Sequence, residues 1–391
     1  MEVVLQLVHH PLWDYDISSA PILADITVNG KAIKAVAQPT KQAFLYVFDR
    51  VSGVPVWPIE ERPMARGDVP GEWYPPTQPF PTKPPAYARN GVAIDDLIDF
   101  TPEMRAEATR IASRYKLGPV FTPPSLSNAA GPLATLTLGT ANGGTNWPGA
   151  SYDPETHIVY AGASNSSLTA IGLVPPTPGL SDMKYVLGTA GQAIRIMRGP
   201  GENAGADAVI PPAPTPAPDP AGGRGAGGGG GGGGGSLTVQ GLPLVKPPYG
   251  TITAISLDKG EIVWQVAHGE TPDVVRNHPA LKGMSIPRTG QGGTAGTLVT
   301  KTLVVAGDLQ FTTTDSHPRG AMLRAYDKAT GKEVGAVYMP APQSGSPMTY
   351  MVNGKQYIVV AVSGGPYSGE YIAFRTPAGP ERSTTGNGRR R

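Results

Sequence analysis

The chain contains no cysteine, so it can form neither disulfide bonds nor cysteine-ligated metal centres. Charge is also scarce, because only 16% of the 391 residues are charged and the net charge is +2. Nucleic-acid-binding domains carry a far stronger basic surface, so we expect no nucleic-acid partner. No apolar run reaches the length of a membrane-spanning helix. The first residues lack the basic region and cleavage site of a signal peptide, and we expect the chain to begin inside a fold.

Glycine and proline are abundant, at 52 and 43 residues, which is typical of many short strands joined by turns. One segment goes further, since residues 211–220 are rich in Pro and Ala and residues 222–235 are almost pure Gly. Such composition cannot bury enough apolar area to offset the entropy of ordering. We therefore predict a flexible insertion at residues 199–248 and a disordered basic tail at 377–391.

A repeated hairpin pattern carries the fold prediction. An apolar strand, an Asp-x-x-Ser/Thr-Gly or similar turn and a second apolar strand recur around Asp49, Asp258 and Asp327, with a looser copy at Asp153. The Asp is expected to accept hydrogen bonds from turn amides, and the Gly supplies positive φ. Two copies end in a Trp expected to pack between sheets, as at Trp264. Repetition with an aromatic anchor is typical of β-propeller blades, the alternative being unrelated hairpins.

Other elements follow from local signals. Strands are predicted at residues 32–38, 44–48 and 54–57, and hairpins at 296–307 and 348–360, the latter turning at an Asn-Gly pair. Residues 58–100 are rich in proline and are expected to form an irregular but ordered loop. A short helix should begin after Thr101, which is a good N-cap followed by Pro at the first position, and end by Gly118.

The sequence HHPLWDYD at residues 9–16 is the candidate functional stretch. It follows an apolar run at 3–8 that we predict to be a strand, so its polar residues should lie on a loop. A carboxylate held against an indole loses solvent, and its pKa rises towards the range of a general base. The alternative is that Asp14 and Asp16 cap a turn while Trp13 fills a core.

Seven motifs, taken jointly and in order, resemble the C-terminal part of the pyrroloquinoline-quinone (PQQ)-dependent dehydrogenases. They lie at residues 9–16 (HHPLWDYD), 37–41 (AQPTK), 76–81 (PTQPFP), 121–125 (FTPPS), 146–149 (NWPG), 347–350 (PMTY) and 354–357 (GKQY). Within that family they are most similar to the membrane-bound quinoprotein glucose dehydrogenases and related sugar or polyol enzymes. The resemblance implies an all-β fold, an eight-bladed propeller of which this chain supplies about half, over residues 1–376 with the insertion at 199–248 interrupting it.

The resemblance also implies a redox site. Asp14 matches the general base that takes the substrate's hydroxyl proton as hydride passes to the quinone, and Lys41 matches the lysine that hydrogen-bonds the quinone carbonyls. Asn146 and Trp147 match the position that lines the cofactor. The family uses a divalent ion, usually calcium, as Lewis acid, and Asp14 is the carboxylate offered to it here. Asp16 occurs where some lanthanide-dependent relatives carry an extra ligand, but sugar dehydrogenases share it, so it does not decide the metal.

The chain departs from the family in several places. By the resemblance, we expect the family's blades that precede residue 3 to lie outside this chain, and with them the tryptophan under the quinone, the glutamate and asparagine of the metal site and a histidine near the substrate. Pro11 replaces an acidic residue, and Gly335 and Ala336 stand where a blade-ending Trp is usual. On residues alone, Lys41 could be a surface lysine and Trp147 a blade anchor.

We expect a dehydrogenase that oxidises a sugar, polyol or alcohol hydroxyl and passes electrons to a quinone or a cytochrome. The family works in the periplasm, in part at the membrane, and the missing N-terminal half is the expected partner. Two alternatives stay open: a non-catalytic propeller that binds other proteins, and one half of a split enzyme that is inactive by itself. No role is assigned to four further histidines, namely His157, His268, His278 and His317.

Overall fold

A computed structural model describes residues 4–140, 143–179, 181–192 and 237–375. Strands dominate these ranges, with helices α1 (Pro102–Ala112) and α2 (Asp273–Arg276) and short 3-10 turns at Ile94–Asp96 and Pro279–Leu281. The strands are β1 (Ile22–Val28), β2 (Lys31–Pro39), β3 (Leu45–Asp49), β4 (Ile59–Pro63), β5 (Thr77–Pro81), β6 (Ser125–Leu126), β7 (Thr135–Leu138), β8 (Ala150–Asp153), β9 (Ile158–Ser164), β10 (Leu168–Val174), β11 (Val186–Leu187), β12 (Thr238–Val239), β13 (Leu242–Pro243), β14 (Gly250–Ser256), β15 (Glu261–Ala267), β16 (Leu298–Val299), β17 (Leu303–Gly307), β18 (Thr312–Thr314), β19 (His317–Asp327), β20 (Glu333–Met339), β21 (Met348–Val352), β22 (Lys355–Gly364) and β23 (Tyr367–Arg375).

Four antiparallel sheets stack on one another in chain order. The first is β1-β2-β3, the second β15-β14-β9-β8, the third contains β16, β17, β19, β18 and β20, and the fourth is β21-β22-β23. Separate apolar cores lie between the first and second, the second and third, and the third and fourth sheets. All seven residues of β14 are buried. Since side chains alternate between the faces of a strand, this inner sheet is covered on both sides, as a propeller blade is.

The fourth sheet differs, because the described residues cover only one of its faces. Its inner face places Val360 and Val362 in the core shared with the third sheet. The opposite face carries Met348, Tyr350, Tyr357, Val359 and Tyr371. Tyr371 is 81% exposed and Met348 is 52% exposed. Tyr350 and Tyr357 stack with ring centroids 5.3 Å apart. The described part of the stack therefore ends on an exposed apolar face.

The repeated turns form as predicted in three of the four copies. The carboxylate of Asp49 accepts the amides of Val51 and Ser52, and that of Asp327 accepts the amides of Ala329 and Thr330. In the looser copy Asp153 likewise accepts an amide, that of Glu155, at 3.1 Å.

Asp258 is the exception among the turn aspartates. It accepts the amide of Thr27 at 2.7 Å and contacts the His157 ring at 3.0 Å, so it joins the first sheet to the second instead of closing its own turn. The anchor prediction is confirmed at Trp264, whose indole N–H donates to the Lys328 carbonyl at 3.0 Å between the second and third sheets.

Helix α1 begins where its cap predicts. The hydroxyl of Thr101 accepts the amide of Met104 at 3.2 Å, and Pro102 opens the first turn. The face containing Met104 and Ala108 is buried in a core shared with β7, β12 and β13. The helix ends at Ala112, earlier than the predicted Gly118. The chain then turns to hydrogen-bond the residues around β7, which replaces further helical bonds.

Several local predictions were wrong. Residues 4–8 form no strand, because a strand needs a hydrogen-bonded neighbour and no described strand pairs with them. Residues 54–57 make only an isolated bridge between Phe48 and Pro55. The Pro-rich stretch 58–100 is more regular than predicted, since β4 and β5 pair within it in five residue pairs, and the charged β4 sequence IEERP gave no strand signal.

The C-terminal boundary of the predicted insertion was also wrong. Residues 237–248 are described and contain the β12-β13 hairpin, and Val239, Leu242 and Leu244 are buried against α1 and β7. These apolar residues supply the core contacts that the glycine run before them cannot supply. The rest of that insertion, from 199 to 236, and the predicted tail at 377–391 lie outside the described residues.

Candidate active site

In the loop at residues 9–16, the side chains of residues 13–16 alternate between buried and exposed. Trp13 and Tyr15 are buried at 2% and 0% exposure, in an aromatic cluster with Phe121. The Trp13 indole N–H donates to the Thr122 carbonyl at 2.7 Å, and the Tyr15 hydroxyl donates to the Leu138 carbonyl at 3.0 Å. Trp13 therefore fills a core, as the alternative interpretation held. Asp14 lies between two anchored aromatic residues, so its backbone position is fixed on both sides.

Asp14 has a left-handed backbone, with φ of 60°. Aspartate tolerates this region better than most residues, yet it still costs energy, and such residues persist only where their surroundings hold them. The side chain of Asp14 stays 60% exposed and that of Asp16 58% exposed. Both carboxylates lie within ion-pair distance of the same cation.

That cation is Lys41, in the turn between β2 and β3. Its residue is only 5% exposed. Its Nζ donates to the main-chain carbonyl of Asp14 at 3.0 Å and to the carboxylate of Asp16. It lies 3.7 Å from Oδ2 of Asp14. The two residues that the resemblance assigns to one redox site, 27 positions apart, therefore meet in the fold. The surface interpretation of Lys41 was wrong.

Glycines allow another loop to pack directly on the main chain of Lys41. A Cβ on Gly139 would lie 2.6 Å from the Lys41 carbonyl oxygen, and a Cβ on Gly144 would lie 2.1 Å from it. Both glycines have positive φ, 87° and 51°. The amide of Thr145 also donates to the carbonyl of Thr40 at 3.2 Å. Only residues without a side chain fit at these two positions, so both glycines pack directly against the main chain of Lys41.

The pKa values of Asp14 and Asp16 are shifted in opposite directions. Burial raises the pKa of Asp14, and the negative charge of Asp16 adds to that rise against the opposing effect of Lys41. Burial also acts to raise the pKa of Asp16, but the hydrogen bond and charge of Lys41 outweigh it and lower that pKa. A carboxyl with a raised pKa beside one with a lowered pKa is a usual division between proton acceptor and fixed charge.

Asn146 and Trp147 continue from the glycine loop. Asn146 is 7% exposed, and its side-chain oxygen accepts the Ser18 hydroxyl at 2.6 Å and the Trp147 amide at 2.8 Å. It thus ties the chain after Asp16 to the turn that precedes β8. Trp147 is 80% exposed, so its ring does not anchor a blade by packing against the described residues. It offers a flat apolar surface next to Asn146, whose main-chain carbonyl accepts the Ser19 hydroxyl at 2.9 Å.

Sequence reasoning missed two supports of this site. The rings of His9 and His10 contact the carboxylates of Glu61 at 3.1 Å and Glu72 at 2.9 Å. The buried carboxamide of Gln78 binds the main chain of His9. The PTQPFP motif contains Gln78 and was the available signal, but its role depends on a loop 69 residues away.

The described residues fit the quinone better than the metal. The buried ammonium group of Lys41 lies 3.7 Å from Oδ2 of Asp14, which is longer than a hydrogen bond. It is therefore suited to donate to a quinone carbonyl. For a metal, no group of three His, Asp or Glu side chains is arranged so that it could hold an ion within the ranges 4–140, 143–179, 181–192 and 237–375. Asp14 and Asp16 supply hard oxygen ligands of the kind calcium takes, and further ligands would have to come from elsewhere.

The structure is a stack of antiparallel sheets, and loops at the ends of its strands hold a lysine–carboxylate pair. These features define an incomplete propeller that carries a polar site. The sequence matches the family described as "PQQ: Glucose/ethanol/alcohol dehydrogenase, beta-propeller domain" over residues 4–215 and 232–358. The chain belongs to this family of PQQ-dependent dehydrogenase propellers.

Individual relatives agree with that membership. The chain is 31% identical over 390 residues to a probable quinate dehydrogenase (quinone) of Xanthomonas campestris, which covers 96% of this chain and 43% of the relative. It is 30% identical over 395 residues to the quinoprotein glucose dehydrogenase of Escherichia coli, at 95% and 42% coverage. It is 29% identical over 380 residues to the quinate/shikimate dehydrogenase (quinone) of Acinetobacter baylyi, at 94% and 41%. The chain thus spans less than half the length of these relatives.

Proposed function

We propose that this chain carries part of the active site of a quinoprotein dehydrogenase that oxidises a hydroxyl of a sugar, polyol or alcohol to a carbonyl. The observation that supports it is the convergence of Asp14 and Lys41 at 3.7 Å in a chain whose family is PQQ-dependent. Its relatives are named as glucose, quinate and glycerol dehydrogenases, which all oxidise hydroxyl groups. The proposed compartment is the periplasm, at or near the membrane. No helix among the described residues is long and apolar enough to span a bilayer.

In this proposal the roles of the chain's own residues are distinct. Asp14, with its raised pKa and exposed carboxylate, accepts the proton of the substrate hydroxyl. Lys41 donates a hydrogen bond to a quinone carbonyl and stabilises negative charge that develops there. Asp16 holds the Lys41 ammonium in place. Bound PQQ supplies the electrophilic carbonyl that receives the hydride, and a quinone or cytochrome takes the electrons onward.

Asn146 and Trp147 are proposed to border the cofactor. Asn146 fixes the turn through its bonds to Ser18 and to the Trp147 amide, while the exposed indole provides an apolar wall. Asp14 is proposed as one ligand of a divalent cation, with calcium as the expected ion. The remaining ligands and the floor under the quinone are proposed to belong to the part of the family's propeller that this chain does not span.

A chimera tests the catalytic role. The C-terminal part of the Escherichia coli quinoprotein glucose dehydrogenase that aligns with this chain is replaced by it, and dye reduction is assayed with added PQQ and calcium. Asp14→Asn should lower turnover at least ~100-fold, because general base catalysis contributes about 10²–10⁴-fold. Asp25→Asn, an exposed carboxylate paired with Arg50, is the control and should keep full turnover. Near-full turnover of the Asp14→Asn chimera would remove the catalytic proposal.

The exposed face of the fourth sheet supports a second candidate, in which this chain is one half of a split enzyme and inactive alone. A propeller sheet normally packs on both faces, and five apolar or aromatic side chains lie on the face left open by the described residues. Mixing this chain with the separately expressed N-terminal part of the Escherichia coli glucose dehydrogenase distinguishes a split enzyme from a non-catalytic binding module. Recovery of PQQ binding supports the split enzyme, whereas a completed ring that binds no quinone supports a non-catalytic binding module.

A further inference from the structure

Gln78 uses its whole carboxamide on one distant residue. It lies on β5 and is 0% exposed. Its Oε1 accepts the amide of His9 at 2.8 Å, and its Nε2 donates to the carbonyl of His9 at 2.6 Å. This pair of bonds orients the peptide groups on both sides of His9. The contact therefore fixes the direction in which the chain enters the loop that carries Asp14.

That loop cannot rely on backbone preference for its shape. His10 and Asp14 are both left-handed, with φ of 45° and 60°. Two such residues within five positions relax to ordinary conformations unless contacts outside the loop hold them. The rings of His9 and His10 contact Glu61 and Glu72, but these side chains are partly exposed, and exposed pairs contribute little. The buried Gln78 contact is the stronger restraint at this end of the loop.

The contact between Gln78 and His9 is also connected to Lys41, the partner of Asp14. The carbonyl of Pro79, the residue after Gln78, accepts the Tyr46 hydroxyl at 2.9 Å. Tyr46 is buried on β3, the strand that follows Lys41. A closed path therefore runs from Lys41 through β3 to β5, across Gln78 to His9, and along the loop to Asp14, which Lys41 binds. Two side chains bridge that path, Tyr46 from β3 to β5 and Gln78 from β5 to the loop.

We propose that Gln78 is a positioning residue that sets the Asp14 loop against Lys41. The inference rests on the proposed function only in taking that pair as the active site. A carboxamide suits the position because it offers one donor and one acceptor at a fixed spacing, matching the carbonyl and amide of a single residue. An apolar side chain of the same size would leave both groups of His9 without their partner.

The chain offers a matched control in Gln343. This glutamine is 7% exposed and also binds two main-chain groups, accepting the Gly307 amide at 2.6 Å and donating to the Gly296 carbonyl at 2.9 Å. It lies between the third and fourth sheets, away from the loop. Gln78→Leu and Gln343→Leu therefore remove the same chemistry at two places, and only the first touches the proposed path.

The experiment uses the full chain without quinone. The ¹H–¹⁵N signal of the Lys41 ammonium, assigned by its loss in Lys41→Met, reports the bonds to Asp14 and Asp16. Hydrogen exchange of residues 9–16 reports the loop, and exchange of β14 reports the whole fold. Gln78→Leu should abolish the slow-exchanging Lys41 signal and speed exchange at 9–16 by about ten- to a hundredfold, leaving β14 protected. Gln343→Leu should leave the Lys41 signal and the loop as in the wild type.

Gln78→Asn, one methylene shorter, should show the same losses because it cannot reach both groups of His9. It decides the question if Gln78→Leu does not fold. Retention of the Lys41 signal and of loop protection in the Gln78 variants would overturn the proposal. Equal loss in Gln343→Leu would overturn it too, because the effect would then be general loosening. Since no quinone is present, this outcome is separate from the success or failure of the dehydrogenase assay.

Discussion

Replacing Lys41 by Met removes the ammonium group and keeps most of the buried stem. Two carboxylates then lose their shared cation, and the main-chain carbonyl of Asp14 loses a donor. Hydrogen bonds to charged groups contribute about 1.5–3 kcal/mol. Because the Asp14 and Asp16 side chains are 60% and 58% exposed, solvent screens part of this. We therefore expect the free energy of unfolding at neutral pH to fall by about 1–2 kcal/mol.

The loss should depend on pH in a defined direction. Lys41 helps to lower the pKa of Asp16 in the folded state, so this pair adds stability above the carboxyl's unfolded pKa of about 4 and loses it as pH falls through the lowered value. The pKa of Asp14 is raised, so its ionisation opposes folding, and removing Lys41 increases that opposition. Both effects make the variant's deficit large at neutral pH and small in acid.

Urea unfolding at about pH 7 and about pH 3 measures the deficit, with tryptophan fluorescence as the signal. Lys301→Met, an exposed lysine in the turn between β16 and β17, is the control and should change stability by less than about 0.5 kcal/mol. Wild-type stability of the Lys41→Met chain at neutral pH, or an equal deficit at both pH values, would refute the account of this ion cluster.

Three further predictions concern the supports of the fold and site. Thr101→Ala should destabilise α1 and lower the free energy of unfolding by about 1 kcal/mol in urea titration, because the Met104 amide loses its cap. Trp13→Phe should cost about 1–3 kcal/mol in the same titration, since the buried Thr122 carbonyl loses its donor. Gly354→Val should destabilise the β21-β22 hairpin by about 1–2 kcal/mol, seen as faster hydrogen exchange in β21, because φ there is 72°. Unchanged values in any of these measurements would contradict the corresponding contact.

Local chemistry was enough to predict much of the stack. The turns at Asp49 and Asp327 and the Asn353-Gly354 hairpin carry their signal within a few residues, and the structure confirms them. Strand β4 could not be predicted in the same way, because its sequence IEERP is charged and it becomes a strand by pairing with β5. The boundary at residue 237 was missed because the glycine run obscured a short apolar hairpin behind it.

The site was harder to predict than the fold. Residue spacing gives no reason for Asp14 and Lys41 to meet, and their pairing came from family resemblance alone. The contacts that bring them together are long-range, such as Trp13 to Thr122 over 109 positions and Gln78 to His9 over 69. Such contacts exist only once the sheets have packed, so no local pattern encodes them.

The most direct test of the central claim is the affinity of PQQ for the ring-completed chimera, measured by its absorbance change with and without Lys41→Met. Lys41 is proposed to donate a charged hydrogen bond to the quinone, so its loss should weaken binding by about ten- to a hundredfold. An unchanged dissociation constant would contradict the claim that Asp14 and Lys41 meet at the quinone.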